Sequence, residues 1–355
     1  MVTKLDELGF MSHEEKLSLL ATLLEATAIP APNTGPGAVP GPGSAPNHGS
    51  TPLVGPRAPT ENALTDLRFE LLGPLVVRHG DLDVAPSAPK LRLILATLLF
   101  NVNRPVGAST LIRELWSDEA PRTAHSTLQT YMFKLRRLFR AVLGLSVEQV
   151  AQEVLLTCSG GYILRVDPQL LDITEFDQLV TAGAAAMNAG DYERAADELR
   201  RSLALWRGTV VHQGQWGTQL RAQVARLEER RFYAQTTRID ADLCLGRHRE
   251  MISELALLVV EHPLHESAHA MLMIALYRAG RISAALEVYM RFRQRMLHEL
   301  GIEPSERIQA LHLALLSTEP ALDDRSLTSD MLLDRLARPG DAVRRRVGSS
   351  LVTGG

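Results

Sequence analysis

Residues 123–140 read TAHSTLQTYMFKLRRLFR, and this stretch decides the fold. Wound as a helix at about 100° per residue, it places Ala124, Leu128, Tyr131, Met132, Leu135, Leu138 and Phe139 along one broad apolar face, which reads as core. The opposite face carries Ser126, Gln129, Thr130, Phe133 and Arg137, flanked by Lys134, Arg136 and Arg140. From Arg122 to Arg140 there are five basic residues and no acidic one, whereas a merely solvated helix mixes the two signs. Lys and Arg in such a set neutralise phosphates and release counterions. Gln, Thr and Arg can hydrogen-bond base edges in a major groove, and an exposed Phe133 can touch a thymine methyl group. The same residues also suit an ordinary basic amphipathic helix on a protein or membrane surface, so the helix alone leaves both readings open.

Its surroundings narrow the choice. Upstream, Leu67, Phe69 and Leu71 alternate with Arg68 and Glu70, and Leu75 and Val77 lead through a Gly80-Asp81 turn to Leu82 and Val84, which predicts a small antiparallel sheet. Two helices follow, one with Leu91, Ile94, Leu95, Leu98 and Leu99 on a face, the other with Leu111, Ile112, Leu115 and Trp116 behind Ser109; Pro105 separates them. Downstream, Val154–Thr157 and Tyr162–Val166 flank Ser159-Gly160-Gly161, the pattern of a hairpin. Strands, three helices and a terminal hairpin, in that order, match a winged helix of the OmpR type. In that geometry the second helix braces the third and the hairpin reaches toward a minor groove. Lys90, Arg92 and Arg165 then become phosphate candidates, and Thr123 and Thr127 complete the candidate DNA face of the third helix.

Beyond Pro168 the pattern is helical and rich in alanine to about Thr318. Gly246-Arg247 and Gly280-Arg281 stand 34 residues apart, the tetratricopeptide period, and Gly190-Asp191-Tyr192 with Ala195 repeats the turn-then-small-residue signature. The fold class is therefore mainly α with small antiparallel β. The expected organisation is a flexible extension over 1–60 with a short helix and a Pro/Gly-rich linker, a winged helix over 61–168, an all-α repeat domain over 169–318 and a tail over 319–355.

The motifs Thr127-Leu128-Gln129-Thr130-Tyr131, Leu135-Arg136-Arg137-Leu138 and Gly160-Gly161-Tyr162, with Leu111-Ile112 and Leu115-Trp116, together resemble the DNA-binding signature of the Streptomyces antibiotic regulatory protein family. His262-Pro263-Leu264, Glu266, Ala275-Leu276-Tyr277 and Gly280-Arg281 resemble that family's bacterial transcriptional activation domain. The resemblance spans roughly residues 67–318. It implies an activator that binds direct repeats at promoters, pairs with itself on DNA, and recruits RNA polymerase holoenzyme through its sigma factor and alpha subunit, usually at genes of secondary metabolism such as antibiotic biosynthesis. The chain departs from the simplest members in its long N-terminal extension and in an insert around Leu145–Gln152.

Other classes find little support. The 355 residues contain two cysteines, Cys158 and Cys244, too far apart for a metal-ligand spacing, and no apolar run approaches ~20 residues. A location in the cytoplasm, associated with the nucleoid, is expected, without membrane contact. A net charge of -3 means that any DNA surface must come from local clustering. His265-Glu266-Ser267-Ala268-His269 spells the H-E-x-x-H zinc pattern. It falls where the family resemblance expects an ordinary helix start, with Glu266 near the positive end. No phosphate-binding loop or nucleophile elbow is present, so no enzyme, metal site or cofactor is expected. The competing reading is a helical-repeat scaffold or peptide-binding adaptor without sequence-specific DNA binding.

Overall fold

The computed structural model describes residues 67–117, 119–210 and 217–338; the expected extension, residues 1–60, and the chain beyond Arg338 lie outside the described residues. Alternation produces β1 (Leu67–Glu70), with Leu67 and Phe69 buried and Arg68 exposed. Strand β1 pairs antiparallel with β2 (Val76–His79), Phe69 opposite Val77, and β2 turns through Gly80 into β3 (Leu82–Asp83). Helix α1 (Pro89–Phe100) begins on a proline, which costs no hydrogen bond at a first turn. It is buried on more than the single expected face: Leu93, Ala96 and Thr97 are also inside, because α1 is packed by both following helices, the hairpin and a helix of the second half.

Strand β4 (Val106–Gly107) leads into α2 (Ala108–Trp116), and α3 (Ala124–Leu143) ends at Gly144 in the left-handed region. The wing is β5 (Leu155–Cys158) and β6 (Gly161–Leu164), joined by β4 in the order β4-β6-β5. Close pairing there requires glycine. A Cβ on Gly161 would lie 2.2 Å from the Val106 carbonyl oxygen. The insert before the wing is not an ornament. Ser146 and Gln149 form a reciprocal cap, and the π-helical turn after it puts Val150 and Val154, fully buried, into the same core as Phe69 and Phe139.

The second half consists of α4 (Asp172–Asn188), α5 (Tyr192–Ala204), α6 (Thr218–Cys244), α7 (His248–Glu261), α8 (Glu266–Arg278), α9 (Ile282–Leu300) and α10 (Glu306–Ser317). Its repeat is visible in the backbone. Gly190, Gly246 and Gly280 all take positive φ, and after each the next residue's N–H returns to a carbonyl five residues back: Asp191 to Ala186 at 2.9 Å, Arg247 to Asp242 at 2.9 Å, Arg281 to Leu276 at 2.8 Å. This is the Schellman closure, with glycine where a Cβ would be strained. Ala195 and Ala285, expected as close-packing positions, are fully buried.

The helical layers run on past residue 318, where the sequence pattern was expected to give way to a tail. A 3-10 turn (Pro320–Asp323) and α11 (Ser329–Ala337) bury Leu322, Leu332, Leu333 and Leu336. The Asp240 carboxylate accepts the Ser329 N–H and hydroxyl at 2.8 and 2.6 Å, fixing the start of α11. A nine-residue helix set among Asp and Arg reads as solvated when its capping partner lies 89 residues upstream.

The two halves share surface. The Asp172 carboxylate accepts the N–H groups of Leu71 and Leu72 at 2.8 and 2.9 Å, the Arg207 N–H donates to the Leu72 carbonyl at 2.8 Å, and Leu220 of α6 is buried in the core of the first half.

Candidate nucleic-acid interface

Helix α3 sits on the core through Ala124, Leu128, Met132, Leu135, Phe139 and Leu143, close to the face expected from the sequence; Tyr131 and Leu138 lie at its half-buried edges. The outward stripe is as expected: Thr123, Ser126, Gln129, Thr130, Phe133, Lys134, Arg137 and Arg140 are exposed, and Thr127 is half-buried. Phe133 is 56% exposed, an unusual place for an aromatic ring without a partner. The hydroxyls of Ser126 and Thr130 donate to the carbonyls of Thr123 and Ser126, leaving their lone pairs outward.

The stripe carries one sign of charge, with Lys134, Arg137 and Arg140 and no acid among its residues. Gln129, Lys134, Arg137 and Arg140 make no hydrogen bond or ion pair through their side chains among the described residues. Several arginines of the second half, by contrast, are neutralised: Arg238 by Asp242 and Glu254, Arg247 by Asp242 and Glu193, Arg293 by Glu303. Even the broad groove of about 1170 Å³ over α7, α8 and α9 is edged by the pairs Arg291–Glu287 and Arg295–Glu299. Cations left uncompensated on one helical face form a surface with affinity for an external polyanion. One acid stands at its far end: Glu148, whose carboxyl is held below the usual range by its own backbone N–H, the Ser146 hydroxyl and the Arg140 charge.

Three of the expected contacts are otherwise engaged. The Arg136 guanidinium donates from Nε and Nη2 to the Leu155 carbonyl at 3.0 and 2.9 Å, and from Nη2 to Thr157 Oγ1 at 2.9 Å. It therefore ties α3 to the wing and points away from the free stripe. Arg92 donates to the Leu75 carbonyl, stitching α1 to the loop before β2, and Lys90 Nζ lies 4.6 Å over the Trp116 ring. Arg165 is exposed beside the wing. Two exposed cations were missed, Arg113 on α2 and Arg122 just before α3, neither with an internal side-chain partner among the described residues. Arg122 was legible in the acid-free run. Arg113 was obscured by the acidic residue beside it.

The H-E-x-x-H residues serve the helical domain. Glu266 accepts from the Ser305 N–H at 2.8 Å and from its hydroxyl, at the N-terminus of α10. The His265 ring packs 4.2 Å from Phe232, and His269 lies 4.3 Å from Phe292 with Nδ1 at the His265 carbonyl. Burial pushes both imidazoles below their usual pKa. Among the described residues no group of three or more His, Cys, Asp or Glu is placed to hold a metal, and no helix is long and apolar enough to cross a membrane.

The model of the bacterial transcriptional activator domain matches residues 171–316. Regulatory protein DnrI of Streptomyces peucetius is 40% identical over 257 residues, which cover 72% of this chain and 94% of DnrI. The chain belongs to the Streptomyces antibiotic regulatory protein family. Transcriptional regulator RedD of Streptomyces coelicolor is 33% identical over 256 residues, 72% of each chain. A solved structure of Mycobacterium tuberculosis EmbR, in complex with a low affinity phosphopeptide, superposes with a TM-score of 0.68 at 31% identity, covering 79% of this chain and 71% of that one. As a member of this family, the chain is a DNA-binding transcriptional activator, mainly helical with small antiparallel sheets.

Proposed function

We propose that two copies of this activator bind spaced direct repeats upstream of a promoter, each laying α3 in the major groove, and recruit RNA polymerase holoenzyme through its sigma factor and alpha subunit. The observation that carries the reading is the acid-free outward stripe of α3, where Lys134, Arg137 and Arg140 make no side-chain hydrogen bond or ion pair among the described residues. In this reading Lys134 and Arg140 neutralise phosphates, with Arg122 and Arg165 at the flanks, while Gln129, Thr130, Arg137 and Phe133 meet base edges. Arg136 holds the wing in position rather than touching DNA. The targets are genes of secondary metabolism, reached in the cytoplasm on the nucleoid, and the mechanism contains no catalytic step.

Activation by recruitment asks little of each protein contact. A coupling of ~1.4 kcal/mol raises polymerase occupancy about tenfold while the site is far from saturated. The test is selection of bound sequences from a random duplex pool by the purified full chain, then footprinting with and without polymerase. Spaced direct repeats, with a footprint extended by polymerase, are expected. A pool without enrichment at moderate salt overturns the reading in favour of a helical-repeat scaffold.

A further inference from the structure

Glu114 lies on α2, the helix that braces α3, yet the residue is only 3% exposed. It is engaged by the activation half. Oε1 accepts the Gln219 N–H at 2.9 Å and Oε2 the Leu220 N–H at 3.3 Å. Those N–H groups open α6, whose own N-cap residue, Gly217, supplies no side-chain acceptor. An anion at this position also meets the positive end of the helix dipole. The approach is tight: a Cβ on Gly217 would stand 2.4 Å from the Glu114 carboxyl carbon and 2.6 Å from its Cα. Leu220 then enters the same core as Leu111 and Leu115.

Helix α6 extends from this joint as a lever. Its 27 residues span about 40 Å at 1.5 Å per residue. Along its second half Phe232, Ile239 and Leu243 belong to the core shared with α7–α11. A tilt of about 10° at the Glu114 end would carry the far end some 7 Å sideways, by the same rise.

We propose that Glu114 is a positioning residue for activation: by capping α6 it locks the repeat stack at one azimuth relative to the bound DNA, so that activation depends on the helical phase between operator and promoter. This rests on the recruitment reading above. Loss of the cap leaves DNA binding intact and lets the stack swing, which lowers activation in phase and raises its share out of phase.

The experiment uses the full chain, the duplex selected from the random pool, and in vitro transcription with the operator moved stepwise over two helical turns. Wild type is expected to show a ratio of in-phase to half-turn-shifted transcription on the order of tenfold, with a period of about 10.5 bp. Glu114→Ala, and independently Gly217→Ala from the other side of the joint, should protect the operator as wild type does while the ratio falls at least threefold. Glu114→Gln keeps one acceptor and should fall between, so it decides the matter where the alanine variant fails to fold. A partly unfolded population scales transcription equally at every spacing and cannot change the ratio. A wild-type ratio preserved in Glu114→Gln and Gly217→Ala overturns the inference alone; no activation by wild type at any spacing overturns the recruitment reading and this inference with it.

Discussion

Replacing Arg136 with alanine separates a brace from a DNA contact. The side chain makes three hydrogen bonds of 2.9–3.0 Å to β5 and is half-buried. Hydrogen bonds to charged groups each contribute about 1.5–3 kcal/mol when enclosed. Solvent around this guanidinium and the sharing of one carbonyl by two of the bonds reduce the total to about 1–2 kcal/mol. For a chain of this size, at about 2.1 cal/mol/K of unfolding entropy per residue, that corresponds to a fall in melting temperature of roughly 1–4 °C. DNA affinity should drop only through the displaced wing. The slope of log affinity against log salt should stay as in wild type, because each lost phosphate contact would lower its magnitude by about 0.9. Thermal unfolding and a salt titration on the selected operator read the two quantities separately. A slope reduced by about 0.9 together with an unchanged melting temperature would show that Arg136 reaches phosphate, and the assignment as a brace would be wrong.

The other predictions address the free stripe and the joint between the halves. Arg137→Ala should cost about 1–3 kcal/mol in specific binding and relax sequence preference at one position, whereas Lys134→Ala should weaken all duplexes alike and lower the salt slope by about one; competition binding with scrambled duplexes distinguishes them. Leu220→Ala leaves a cavity in the core of the DNA-reading half although the residue belongs to α6, and should cost about 2–5 kcal/mol by denaturant unfolding. Burial raises the Asp172 carboxyl from 3.8 to about 6, against the opposing pull of the Leu72 and Leu71 N–H groups. The native state therefore binds this proton more readily than the unfolded chain, and the associated stability, full below pH 3.8, is lost as pH rises through 6. Wild type should thus lose a few kcal/mol relative to Asp172→Asn between pH 4 and pH 7, at about 1.4 kcal/mol per pKa unit, measured by urea unfolding at each pH; an unchanged difference would contradict the shift.

What the sequence made legible was periodic. The apolar face of α3, the strand alternation of Leu67 and Phe69, and the glycine turns at Gly190, Gly246 and Gly280 are each specified by residues within a turn or two of one another. The illegible features depend on partners distant in the chain. Nothing near Arg136 shows that its guanidinium will turn to Leu155, and nothing near Arg92 announces the Leu75 carbonyl. A basic residue on the edge of a helix stripe has two uses, bracing the neighbouring element or meeting the ligand. Spacing alone does not distinguish them. The insert before the wing was opaque for another reason: Val150 and Val154 stand four residues apart, an ordinary helical spacing, but the segment is too short for a periodic pattern to show, and its backbone makes a π-helical turn.

Glu114 extends this argument to function. As a lone acid on a short amphipathic helix it reads as solvated, and its burial follows only from a helix start about one hundred residues later. The acid-free run from Arg122 to Arg140 and the buried acid at Glu114 have complementary roles. Acids beside the DNA stripe would repel the phosphates, whereas an acid on the opposite side of the same motif can cap the helix that carries the activation half. Under the proposed function, negative charge at the joint and uncompensated positive charge on the stripe would let one small helical motif bind DNA with one side and hold the second half of the chain with the other.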